Sequence, residues 1–130
     1  MVKWFSEYDE DDLDKALSLR NSIQESLCII TVPDLLFYEV SNALRYNPHF
    51  TESDIKDALQ SLYDMGFDTI GVEKEILHNA IEIAFKYNVT VYDASFLALS
   101  MKLNKALVTA DYKFFEHMKD FQGIVKLTDL

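Results

Sequence analysis

The chain has 130 residues, 49% of them hydrophobic and 13% aromatic, with three glycines and two prolines. That suits one packed domain and leaves little room for long linkers. A net charge of −10, from 22 acidic against 12 basic residues, excludes a protein that holds nucleic acid mainly through a broad basic surface.

The single cysteine, Cys28, rules out an internal disulfide framework. The short apolar runs and the polar start predict a cytoplasmic protein with neither a membrane span nor an export signal. Glu7, Asp9, Glu10, Asp11, Asp12 and Asp14 crowd the beginning of the chain, where negative charge suits a solvated helix N-terminus.

From Asp9 onward, Leu13, Ala16, Leu17, Ile23 and Leu27 recur at helical spacing and predict a surface helix. Cys28 to Val32 reads as a buried strand carrying a buried thiol; it closes at Pro33, and Asp34 offers a cap for the next helix. In that helix Leu36, Val40, Ala43 and Leu44 share one side. Asn47-Pro48 breaks it, and Thr51-Glu52-Ser53-Asp54 has the spacing of a capping box. Ile55, Ala58, Leu59, Leu62 and Tyr63 then mark a third helix, stopped by Gly66, and Phe67 to Val72 predicts a second strand.

After Glu73, the residues Ile76, Leu77, Ala80, Ile81, Ala84 and Phe85 trace the clearest amphipathic helix, with Asn88 as its stop. Another apolar helix runs from Asp93 to about Asn104, and a strand from Ala106 to Thr109 empties into Ala110-Asp111. A small helix over Phe114 to Met118 and a last strand over Ile124 to Leu127 complete the pattern. Strands alternating with helices predict an α/β fold, a mostly parallel sheet with helices on both faces, in which ligands bind at the carboxyl ends of the strands.

Three carboxylates, Glu39, Asp93 and Asp111, stand where strands give way to helices or loops. Converging carboxylates suit hard cations such as Mg²⁺ or Mn²⁺ and leave positions open for a phosphate and a water. Each also has an ordinary explanation: Glu39 can serve the helix dipole, Asp93 can cap its helix, and Asp111 can be a turn residue. His49, His78 and His117 lack the spacing of a zinc site. A phosphoacceptor role for Asp93 or Asp111 is a weaker alternative, since no acidic pair marks a first strand.

The residues around these carboxylates carry a resemblance. Tyr38-Glu39-Val40-Ser41-Asn42-Ala43-Leu44 is similar to the Glu-bearing helix of PIN-domain toxins of the VapC type. Val89-Thr90-Val91-Tyr92-Asp93-Ala94 resembles the segment around that family's central aspartate, and Thr109-Ala110-Asp111 resembles its Thr-x-Asp turn. Asp93 follows Glu39 by 54 residues (93 − 39) and Asp111 follows Asp93 by 18 (111 − 93), which also fits. The resemblance implies one PIN-like three-layer α/β/α domain over 1–130.

It further implies a metal-dependent endoribonuclease, with Mg²⁺ or Mn²⁺ held by Glu39, Asp93 and Asp111. Thr109, Asn42 and Ser95 would support them. An antitoxin partner and a homodimer are implied as well. Family members open with a strand ending in a fourth acidic residue, in a pattern like Asp-Ala-Ser-Val-x-Val-Lys-Trp-Phe. Val2-Lys3-Trp4-Phe5 aligns with its end, so that central strand and its aspartate are expected to be missing. The missing ligand gives weight to an alternative, a catalytically impaired PIN-like binding or dimerisation module. The aromatics Trp4, Phe5, Phe37, Tyr38 and Tyr92 either stack on bases of single-stranded RNA or serve as core and dimer contacts.

Overall fold

The computed structural model describes residues 13–25 and 27–130. Backbone contacts fall into two compact units, one ending at Ile70 and the other running from Gly71 to Leu130. The expectation for Val2–Phe5 lies outside the described residues, as does the acidic stretch before Leu13.

In the first unit, helix α1 (Leu13–Gln24) buries Ala16 and Ile23 and ends before Leu27, which is exposed. Strand β1 (Thr31–Pro33) is shorter than the sequence suggested. Its pairing begins only at the carbonyl of Ile30, which accepts from Asp68 N–H at 3.0 Å, so Cys28 lies outside the strand and is half-buried, not enclosed. Helix α2 (Leu35–Arg45) follows directly. Asp34 occupies its N-cap position with helical backbone angles and gives no side-chain bond, so the expected cap is not made.

The buried face of α2 is Phe37, Val40 and Leu44. Phe37 replaces the expected Ala43, which is exposed, because its ring stacks on Tyr63 at 4.6 Å and 8°. Tyr63 belongs to α3 (Glu52–Asp64), whose capping box forms as the sequence predicts. Gly66 takes a positive φ of 72° and turns the chain into β2 (Asp68–Ile70). β1 and β2 pair in parallel, Thr31 opposite Asp68 and Pro33 opposite Ile70.

The second unit is built on two packed helices, α4 (Lys74–Tyr87) and α5 (Val91–Leu103). α4 buries Ile76, Ala80, Ile83 and Ala84. Its sequence-predicted apolar face is wider than the buried one: Leu77 and Ile81 are partly exposed and Phe85 is 86% exposed. α5 spreads its apolar residues round the helix instead of on one stripe, and buries Ala94, Leu97, Ala98 and Leu99. Each of these helices stops at an asparagine in the left-handed region, Asn88 (φ 54°) and Asn104 (φ 52°), a conformation Asn tolerates better than most residues.

Beyond α5 come β3 (Leu107–Thr109), α6 (Tyr112–His117), β4 (Ile124–Lys126) and a closing 3-10 turn over Leu127–Asp129. β3 and β4 also pair in parallel, Leu107 opposite Ile124. The α/β class and the parallel pairing expected from the sequence are therefore present. Among the described residues the strands form two separate two-stranded sheets.

Candidate metal centre

Asp93 is exposed in the first turn of α5. The cap of that helix is Thr90, whose hydroxyl accepts from Asp93 N–H at 3.0 Å. Asp93 is thus not the cap, and its carboxylate has no hydrogen-bond or ion-pair partner among the described residues. Thr90 is a residue that sequence reasoning passed over. The signal was there, since Thr90-Val91-Tyr92-Asp93 repeats the spacing of Thr51 to Asp54.

Asp111 follows β3 and is itself the N-cap of α6: its Oδ1 accepts from Phe114 N–H at 3.0 Å. The backbone N–H of Asp111 donates to the Thr109 hydroxyl at 3.1 Å, which fixes the turn and leaves Oδ2 open. Thr109 therefore shapes the loop that presents Asp111. α5 packs on β3, and three residues, Asn104 to Ala106, return the chain between them. A helix followed so closely by a strand runs back along it, so the topology directs Asp93 and Asp111 toward the same end of that pair.

Glu39 is half-buried on α2, in the other unit. Asn42 is exposed one turn later, where helical spacing puts it on the face of Glu39. Ser95 is half-buried, and its hydroxyl donates to the Val91 carbonyl at 2.7 Å. That bond holds the first turn of α5. Among the described residues no group of three or more His, Cys, Asp or Glu side chains is placed to hold a metal ion.

At the other end of α5 from Asp93, charges pair with one another. Lys102, on α5, bonds Glu73 and lies 3.6 Å from Glu75, and the bond to Glu73 holds its ammonium above the ordinary lysine value of 10.5. The donor set at Asp93 and Asp111 is hard oxygen throughout, which fits Mg²⁺ or Mn²⁺. Such ions are commonly held by one or two carboxylates with water and substrate phosphate completing the shell.

The sequence of residues 1–120 matches the PIN domain family. The chain belongs to that family. It is also 34% identical over 88 residues to the Ribonuclease VapC3 of Pyrobaculum aerophilum, a match taking in 64% of this chain and 66% of that protein, just under two thirds of the relative's length. The family match runs through both units and takes in all three candidate carboxylates. The recognition drawn from the motifs around Glu39, Asp93 and Asp111 therefore holds.

Proposed function

We propose that this PIN domain is a metal-dependent endoribonuclease of the VapC toxin type. The observation that carries the reading is Asp93: an aspartate fixed on a buried helix, in the family's motif, with an exposed carboxylate that no described residue engages. Asp93 and Asp111 would hold Mg²⁺ or Mn²⁺, with Glu39 as the third acidic group. When bound, the cation supplies charge neutralisation at the scissile phosphate and eases ionisation of the attacking water. Asp111 keeps one oxygen on its helix and would have the other for the cation, while Thr109 holds the loop. A carboxylate of this set accepts the proton released as water attacks phosphorus. Asn42 and Ser95 support from their helices.

The rest of the reading follows the family: single-stranded RNA as substrate, a cognate antitoxin as restraint, a homodimer as the working form, and the cytoplasm as its place. No helix among the described residues is long and apolar enough to cross a membrane. The alternative is a PIN-like binding or dimerisation module without catalysis. It is favoured by the lack of three converging metal-ligand side chains among the described residues.

The two readings separate in one assay. A mixed-sequence single-stranded RNA is incubated with the chain and Mn²⁺ or Mg²⁺, with a chelator control and an Asp93→Asn variant. Cleavage abolished in both controls supports the nuclease. A folded protein that leaves the RNA intact supports the binding module.

A further inference from the structure

We infer that Tyr92 is a stacking platform for a nucleobase of the RNA bound at Asp93, an inference that rests on the nuclease reading above. Each candidate carboxylate has a tyrosine as its chain neighbour: Tyr38 before Glu39, Tyr92 before Asp93, Tyr112 after Asp111. Tyr112 is half-buried, whereas Tyr38 and Tyr92 are 78% and 62% exposed. The structure thus removes both from the core, where Phe37 remains at 9%.

Other tyrosines of the chain place their rings against a neighbour. Tyr63 stacks on Phe37, Tyr87 meets Phe121 edge-on at 5.8 Å, and Tyr46 lies under the Arg45 guanidinium. The Tyr92 ring has no such contact and its hydroxyl no hydrogen bond among the described residues. Its backbone, by contrast, is held on both sides, by the Thr90 cap and by the Ser95 bond to the Val91 carbonyl. A ring open to water on a fixed base needs little ordering when a ligand arrives.

Charge favours the same assignment. With a net charge of −10, the chain has no cationic excess to hold phosphates, and its own carboxylates repel them. Stacking is indifferent to charge, and one base on an aromatic face strengthens binding by about 5- to 150-fold. Between the two exposed rings, Tyr92 is the better placed, because the carboxylate beside it is exposed while Glu39 is half-buried.

The test is steady-state cleavage of a short single-stranded RNA by the full chain with Mn²⁺, comparing wild type with Tyr92→Phe, Tyr92→Leu and Tyr92→Ala. Phe85→Ala, a still more exposed aromatic whose chain neighbours are not acidic, is the control. Tyr92→Ala and Tyr92→Leu should raise KM about 10-fold or more with kcat nearly unchanged. Tyr92→Phe and Phe85→Ala should match wild type. Leu keeps an apolar side chain without a π face, so the Phe and Leu pair decides the matter even if the Ala variant folds poorly. A wild-type KM for both Leu and Phe, in a chain that cleaves RNA, overturns the platform and leaves the nuclease intact. A wild-type chain that neither binds nor cleaves RNA overturns both.

Discussion

Helices α3 and α5 open on the same four-residue spacing, Thr-x-x-Asp, and use it differently. At α3, the Thr51 hydroxyl accepts from Asp54 N–H at 3.2 Å, and in return the Asp54 carboxylate accepts from Thr51 N–H at 2.9 Å. The box is closed, and the bond from the Thr51 backbone, then its hydroxyl, draws the Asp54 carboxyl below the ordinary 3.8. At α5, Thr90 makes the first bond but Asp93 does not return the second. One aspartate is consumed by its helix and the other is left unengaged. The motif is the same in sequence; what differs is whether the carboxylate has been used up locally.

Substituting the two aspartates is the strongest way to break this comparison. Asp93→Asn should lower metal-dependent RNA cleavage by about 100-fold or more while leaving the melting temperature within a degree or so, since no bond is lost. Asp54→Asn should leave cleavage unchanged. Equal losses of activity in the two variants would sink the distinction.

Asp111 combines both uses and sharpens the contrast. Asp111→Ala should lose cleavage and also about 1 kcal/mol of stability as the α6 cap disappears, or about 3–5 °C in melting temperature. Asp111→Asn should lose cleavage but keep most of the stability, because Asn caps as well as Asp. A thermal melt of both variants alongside the RNA assay checks this.

The threonines give a smaller effect. Thr51→Ala and Thr90→Ala should each cost about 0.5–2 kcal/mol in urea unfolding, with Thr51 the more costly because two reciprocal bonds depend on its position. The smallest expected effect is in pH. Because the Asp54 carboxyl is lowered in the folded state, its contribution is fully present above the ordinary aspartate value and is lost as pH falls through the lowered one. The stability gap between wild type and Asp54→Asn should therefore hold steady from neutral pH to about 4.5 and shrink below it. An unchanged gap in strong acid would mean that the charge of the Asp54 carboxylate adds nothing to the returning bond.

Much of this was legible in the sequence, and what was not has physical reasons. Helical spacing placed the first four helices, an apolar run the fifth and a short segment after Asp111 the sixth, and Gly66, Asn88 and the Thr51 box marked ends that the structure keeps. Strands came out long because β-branched runs signal preference, whereas a strand exists only where a partner supplies bonds; β1 shrinks to Thr31–Pro33 for that reason. Side-chain burial was harder. Phe37 went inside through a ring partner on the next helix, which no local pattern announces. Phe85 lies on the predicted apolar face yet outside, since the buried arc of α4 stops at Ile83 and Ala84. At the candidate site, flanking motifs identified the carboxylates, but only the hydrogen bonds reveal that Asp111 is half engaged and Asp93 is not.

The contrast between the three-residue strands β3 and β4 and the buried middle of α5 carries a consequence for motion. The β3–β4 pair has only a few ladder bonds, while α5 keeps Ala94, Leu97, Ala98 and Leu99 buried along its middle. Amides of α5 should exchange with solvent last and those of β3 and β4 well before them. The two aspartates of the candidate centre then stand on ground of unequal firmness: Asp93 would be the anchored jaw and Asp111 the yielding one, which would let the pair adjust its reach around a bound cation.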